Sequence, residues 1–221
     1  LGDVYKRQMR KTKMPPDPFM RKQLYSLLKP ADMCRRQVNI IGNNLALRKS
    51  SELYTLLEKN GFSIKDICTC HDFREYETMA SSRLNLVTNP LGRPAAKELC
   101  GRLGQEWVYL PVSYDWEQIR EHWKCLSDLL ELDFDSIWKE GEMDQLWQKA
   151  ETAMETLAGE LAGWSVAIDY TASSRPFGMA KLLVKCGFRV ERIYADTISP
   201  EEEDTFAWLK KQCPRMLLCP T

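Results

Sequence analysis

The sequence lacks the glycine pattern that nucleotide phosphates require. Neither G-x-G-x-x-G nor G-x-x-x-x-G-K-[ST] occurs, and the turn after the first apolar run carries Gly42 alone. A phosphate-binding turn must bring several backbone N–H groups, unshielded by side chains, against a pyrophosphate at a helix start. Sites for NAD and for nucleoside triphosphates are therefore weakly supported. Long hydrophobic runs are missing too: none approaches the ~20 residues that cross a bilayer, and no apolar segment near the start resembles a secretory signal. The cytoplasm is the expected compartment. Net charge is absent, with Lys+Arg 31 against Asp+Glu 31, so nothing global points to nucleic acid or an anionic membrane as partner. Paired C-x-x-C knuckles are absent as well. The eight cysteines, at 34, 68, 70, 100, 125, 186, 213 and 219, are too sparse for a disulfide scaffold, and most are expected to be reduced.

What is present reads as a soluble globular chain: 44% hydrophobic and 28% charged residues over 221 positions leave room for one large or two small domains with a real core. The charge is unevenly spread. Ten of the 31 basic but only three of the 31 acidic residues precede Gln37, an excess of seven positive charges there and of seven negative charges after it. Residues 9–36 are read as a solvated basic helical or linker arm. Residues 1–8 contain Asp3-Val4-Tyr5-Lys6-Arg7-Gln8, which resembles the translation of a transposon end used in library preparation, and are set aside as a sequence scar. Met216-Leu217-Leu218-Cys219 reads as a strand just before the last residues, where a parallel fold would continue into a helix. The chain is accordingly expected to be a fragment truncated at both ends.

Val38-Asn39-Ile40-Ile41-Gly42 is a short β-branched run followed by a turn at Asn43-Asn44 and a helical pattern at Leu53, Leu56 and Leu57 that ends in Gly61. Val166-Ala167-Ile168-Asp169, a turn through Thr171 to Arg175 and a helix ending Leu182-Leu183-Val184-Lys185-Cys186-Gly187-Phe188 repeat it; Leu56-Leu57-Glu58-Lys59-Asn60-Gly61-Phe62 is the near match. Further strands are expected at 63–70, 84–87, 107–112, 190–194 and 216–219, with helices at 93–103, 115–130 and 200–213. Strands alternating with helices predict parallel pairing. The fold class is α/β: two Rossmann-like parallel modules, at 37–142 and 165–221 (the second incomplete), joined by a long amphipathic helix at 143–164 that carries Met143, Leu146, Trp147, Ala150, Met154, Leu157, Leu161 and Trp164 at three- and four-residue steps. Trp116, Trp123, Trp138, Trp147 and Trp164 lie in or around this helical region and are read first as packing, second as a stacking surface. Ser199-Pro200-Glu201-Glu202 has the form of a capping box, and Asp115 with Gln118 a weaker one.

Ligands of parallel α/β sheets collect beyond the carboxyl ends of the strands. That rule selects Gly42, Asn43 and Asn44, then Thr88 and Asn89, then Ser113 and Tyr114, then residues 171–175. From these, a cofactor or small anion is expected between the modules at Asn43, Asn89, Ser173, Ser174 and Arg175, with Arg175 offering a fork of donors to a carboxylate or an anionic cofactor edge. For any one of these residues, capping and turn formation is the stronger alternative. Cys68-Thr69-Cys70-His71 supplies two soft donors on one face of a strand, short of a tetrahedral set, and no metal ligand is assigned. His122 and Cys125, one helical turn apart, read as helix packing.

The strings Val38-Asn39-Ile40-Ile41-Gly42, Ser82-Arg83-Leu84-Asn85-Leu86-Val87 and 104–111 resemble the nitrogenase component 1 family: molybdenum-iron protein subunits, their cofactor-assembly scaffolds and nitrogenase-like reductases. Val166-Ala167-Ile168-Asp169, Arg175-Pro176-Phe177 and Ile198-Ser199-Pro200-Glu201-Glu202 are similar to the same family, in family order. The resemblance implies three α/β domains around a metallocluster, of which this chain gives the second and the start of the third, with the cysteines of the bridging iron-sulfur cluster upstream of everything here. It implies an oxidoreductase whose full-length form uses an iron-sulfur or related metallocluster, none of it held by the fragment alone. It also implies a homo- or hetero-oligomer with a related component 1 subunit, served by an ATP-dependent iron-sulfur reductase. In the family's molybdenum-iron α subunits a cofactor-holding cysteine follows the Leu-Asn-Leu-Val strand after one residue. Asn89 stands there, and an amide replaces a thiolate poorly on soft iron, which speaks against nitrogen as substrate. The readings from other classes are a non-catalytic scaffold or carrier of a metallocofactor or small anion, and a generic two-module small-molecule binder.

Overall fold

The computed structural model describes residues 14–169 and 171–220; the segment read as a scar lies outside them. Two compact units divide between Pro111 and Val112. The fold is α/β, with one parallel sheet in each unit.

The first unit runs α1 (Pro16–Tyr25), β1 (Cys34–Ile41), α2 (Glu52–Lys59), β2 (Ser63–Asp66), a 3-10 turn (Ile67–Thr69), α3 (Phe73–Glu77), a second 3-10 turn (Thr78–Ser81), β3 (Ser82–Val87), a third (Pro90–Gly92), α4 (Arg93–Leu103) and β4 (Glu106–Tyr109). Its strands lie in the order β2-β1-β3-β4. The chain leaves β1 toward β2, then returns across it to β3, so the winding reverses between β1 and β3. That reversal is where parallel sheets open a crevice at their carboxyl ends. Strand β1 is buried continuously from Gln37 to Ile41, as expected of a parallel strand covered on both faces.

The basic arm is not simply solvated. Tyr25 and Leu28 are buried against Ile41, Tyr76, Met79 and Val87, and Arg102 of α4 donates to the carbonyls of Leu28 and Tyr25, the latter at 2.9 Å. Two large apolar side chains in a basic stretch outweigh its charge, since burying each is worth about 1.5–3 kcal/mol.

The second unit runs α5 (Trp116–Leu130), α6 (Phe134–Glu140), α7 (Met143–Glu160), β5 (Ser165–Asp169), α8 (Pro176–Lys185), β6 (Arg189–Tyr194), a 3-10 turn (Pro200–Glu202), α9 (Glu203–Gln212) and β7 (Leu217–Cys219). The sheet order is β5-β6-β7. Both connections step in one direction, so β5 is an edge strand here whereas β1 is paired on both sides. The two strands expected to correspond do lie in separate sheets. The unit boundary falls ahead of the 143–164 stretch, and the helices before it belong to the second unit. Within that unit Trp116 lies 4.9 Å from both Trp138 and Trp147, with Phe134 5.4 Å from Trp138 (ring centroids).

Two expected strands end early. The 63–70 run is a strand only to Asp66, because the Asp66 carboxylate accepts from Cys68 N at 2.9 Å and starts a tight turn. The 107–112 run is extended in the sheet only over Glu106–Tyr109.

Candidate functional site

At the winding reversal of the first unit the backbones of the two loops touch. Gly42 has φ +103°, and a Cβ there would lie 3.0 Å from the Asn89 carbonyl oxygen. A Cβ on Gly92 would lie 2.8 Å from Gly42 Cα and from the Ile41 carbonyl oxygen. Only glycine permits this approach, which holds the two loops together.

The side chains of these loops are bound to one another. Thr88 Oγ1 donates to Asn43 Oδ1 at 2.5 Å. Arg21, reaching in from α1, donates from Nη1 to the Asn43 carbonyl at 3.1 Å and from Nη2 to Asn44 Oδ1, while its Nε meets Asp17 at 2.6 Å. Asn89 Oδ1 accepts from Leu91 N at 3.0 Å and so caps the following 3-10 turn. The sequence points to Asn43, Thr88 and Asn89; it gives no sign of Arg21, which reaches them from an arm read as solvated.

Cys68 lies beside this group, its Sγ 3.8 Å from the Asn43 carbonyl oxygen, and Cys70 Sγ lies 3.5 Å from the Asp66 carbonyl oxygen. Loss of solvent, then the Asp66 carboxylate, pushes the Cys68 thiol up; loss of solvent, then Glu75, does the same to Cys70. Both shifts favour the thiol over the thiolate, the ligand form. Among the described residues no group of three or more His, Cys, Asp or Glu side chains could hold a metal ion. Among the described residues the donors near these loops do not make up an iron-sulfur site: Asn89 Oδ1 caps a turn, and Cys68 and Cys70 supply two sulfurs, each beside a carbonyl oxygen.

Beneath the loops runs a buried polar ladder. Asn39 donates to the Met79 carbonyl (2.9 Å) and to Asn85 Oδ1 (2.8 Å), and accepts from Ser82 Oγ (2.6 Å). Gln37 donates to the Thr78 carbonyl and to Ser82 Oγ, each at 2.7 Å. Asn85 donates to Gln105 Oε1 at 3.1 Å, and Gln105 returns to the carbonyls of Met79 and Ala80 at 2.9 and 2.8 Å. This network ties β1, β3 and the approach to β4 to the Thr78–Ser81 turn. Its signal in the sequence is a polar residue at every second position, Gln37 and Asn39, in the otherwise apolar buried stretch from Gln37 to Ile41.

In the second unit the 171–175 turn precedes α8. Ser173 Oγ accepts from Arg175 N and from Tyr114 Oη, each at 2.9 Å. Ser174 is exposed. Arg175 donates to Gln118 Oε1 at 2.7 Å and to the carbonyls of Val112 at 3.3 Å and Glu201 at 3.5 Å, while its Nε is buried without a hydrogen-bond partner. The fork expected to meet a ligand is committed to neighbouring turns. An anion does sit at the start of α8, and it is the protein's own: Glu202, 1% exposed, accepts from Gly178 N at 2.7 Å. The capping-box reading would return Glu202 to Ser199, but Ser199 makes no side-chain cap. Burial pushes the Glu202 carboxyl up against the opposing pull of the Gly178 N–H and Arg175. Burial, then Arg175, lowers His122.

Three comparisons bear on kinship. Residues 19–218 match the family described as nitrogenase component 1 type oxidoreductase. A solved structure of nitrogenase Cp1 at pH 6.5 superposes with TM-score 0.64 at 14% identity, over 92% of this chain and 48% of that one; nitrogenase Cp1 at pH 5 does so with TM-score 0.52 at 16% identity, over 83% and 40%. The chain thus spans less than half the length of these neighbours, and at such identity they show the fold alone. No curated protein sequence matches it. With a family match over nearly its whole length and the parallel two-sheet architecture to go with it, the chain belongs to the nitrogenase component 1 type oxidoreductases.

Proposed function

We propose that the full-length protein is a metallocluster-dependent nitrogenase component 1-type oxidoreductase, in which this chain supplies framework and ligand-facing loops while cluster-binding thiolates come from another part of the protein. The observation that carries this reading is the pair of glycine-seamed loops, at residues 42–44 and 88–92, at the point where the first sheet reverses its winding. Family membership supports a redox role; the Asn89 amide, occupied with Leu91 N, supports a substrate other than nitrogen. A related component 1 subunit and an ATP-dependent iron-sulfur reductase are the partners this reading calls for. Asn43 and Asn89 would then shape and orient the loops of the first unit, and Ser173, Ser174 and Arg175 the 171–175 turn of the second, each toward its own part of the ligand-binding surface.

A second reading is a non-catalytic scaffold or carrier of a metallocofactor or small anion. It is favoured by the internal use of Asn43, Thr88 and Asn89 in the first unit, whose side chains hold the loops in place. The full-length protein, isolated anaerobically, separates the two. Bound iron and sulfide with an electron paramagnetic resonance signal that bleaches on oxidation, and that survives Asn89→Ala, supports the oxidoreductase. Protein free of iron after anaerobic isolation and reconstitution would sink it and leave an anion carrier.

A further inference from the structure

The first unit also has a groove beside the loop cluster, sharing Pro90 with it. Between α1 and the start of α4 lies an open groove of about 520 Å³ lined by Met14, Lys22, Pro90, Arg93, Pro94, Lys97 and Glu98. Its volume falls within the range of small-molecule sites. Arg93 and Lys97, four residues apart on α4, project from one face of the helix, and Lys22 faces them from α1. Among the described lining residues three cations meet one carboxylate. That carboxylate, Glu98, is shared between Lys22 at 3.3 Å and Arg102 at 3.6 Å, so much of its charge is already answered. Arg93 is held over the Tyr109 ring at 4.9 Å, which fixes one cation on a flat support instead of leaving it to wander.

The helix start does not supply the donors here. Leu91 N and Gly92 N are taken by Asn89, Arg93 N by the Pro90 carbonyl, and residue 94 is proline. Recognition would fall to the side chains, three cations drawn from two helices and so able to meet more than one negative group, while Met14, Pro90 and Pro94 give the groove apolar walls. We infer that this groove binds a small soluble polyanion carrying adjacent phosphate groups. The inference does not depend on the metallocluster reading.

Inorganic pyrophosphate is the probe, titrated calorimetrically into the full chain at about 50 mM salt, where exposed charges are only partly screened. Lys97→Glu is expected to weaken binding by about tenfold or more, and Glu98→Gln to tighten it by about threefold. Lys185→Glu, an equal change of charge at an exposed position of the second unit, should leave affinity within about twofold. Orthophosphate should bind about tenfold more weakly than pyrophosphate. Equal losses in Lys97→Glu and Lys185→Glu would reduce the groove to a solvated cationic face. No binding at about 10 mM pyrophosphate, or capture by phosphatidylglycerol vesicles without binding of soluble pyrophosphate, would overturn the inference outright.

Discussion

The two sheets of this chain follow the same parallel plan and bury themselves differently. In the first, β1 is buried on both faces from Gln37 onward, and its polar side chains Gln37 and Asn39 are absorbed into a hydrogen-bonded ladder. In the second, β5 and β6 bury Ile168, Val190 and Ile193 while Ser165, Ala167, Glu191 and Arg192 remain exposed. The three-residue step from Val190 to Ile193 reflects a register shift opposite Val166 and Ala167. A parallel strand covered on both faces can carry polar groups only if each finds a partner, whereas one open to solvent can carry charge at no such cost. The candidate sites differ in the same way: the first unit builds its loops on buried amides, and the second answers its helix start with a buried carboxylate.

The largest expected effect breaks the ladder. Asn39→Ala leaves the Met79 carbonyl, Asn85 Oδ1 and Ser82 Oγ short of a partner and should cost about 2–4 kcal/mol in urea unfolding followed by hydrogen exchange of the first unit's strands. Ala167→Ser, on the open face of the second sheet, should stay within about 0.5 kcal/mol. Similar losses at the two positions would abolish the contrast between the sheets.

Gly92→Ala comes next, at about 2–3 kcal/mol, because its Cβ would meet backbone at 2.8 Å and neither loop can yield alone. A silent Gly92→Ala would mean that the two loops are not seamed together. Arg175→Ala should destabilise the second unit by about 1–2 kcal/mol in thermal unfolding without any ligand, since Gln118 and two carbonyls lose a donor. An unchanged midpoint would return that guanidinium to the role of a ligand-binding fork.

The smallest effect is a pH dependence. The Glu202 carboxyl is raised in the folded state by burial. Between the ordinary carboxylate range and that raised value, the folded chain therefore holds more protons than the unfolded one, and stability falls as pH rises through this window. Glu202→Gln keeps an oxygen for Gly178 N and should change stability at neutral pH by less than about 1 kcal/mol, but it should flatten the thermal midpoint of the second unit between mildly acidic and neutral pH. A slope that persists in the variant would assign the titration to another group. Asp169 works in the opposite sense. Its carboxyl is lowered by the hydrogen bonds from Thr171, so its contribution is lost as pH falls.

The fold was legible because its signals are local and redundant. Val38 to Ile41 and Val166 to Ile168 are apolar runs with turns behind them, and the paired endings at Gly61-Phe62 and Gly187-Phe188 mark matching helix stops. The turn at Asp66 was not legible: Ser63 to Cys70 has strand composition throughout, and only the reach of the Asp66 carboxylate to Cys68 N ends the strand. The reversal between β1 and β3 falls at the loops picked from strand ends, where Asn43, Thr88 and Asn89 lie, because the strand ends follow from local apolar runs. Arg21 and Glu202 were not legible. Each acts across a sequence distance that no spacing rule covers, Arg21 over 22 residues to Asn43 and Glu202 over 24 to Gly178. The Ser199 to Glu202 string also satisfies a local capping pattern that the tertiary contact overrides.

The proposed function has this chain supplying framework, not thiolate ligands, to a full-length metallocluster protein. Anaerobic reconstitution of the chain with iron and sulfide, followed by metal analysis after gel filtration and by visible and electron paramagnetic resonance spectra, tests that most directly. The expected result is protein without stoichiometric iron, identical for the unaltered chain and for Cys68→Ser/Cys70→Ser. A stable cluster on the unaltered chain that disappears in the double variant would contradict it and make the cysteines beside Asn43 ligands.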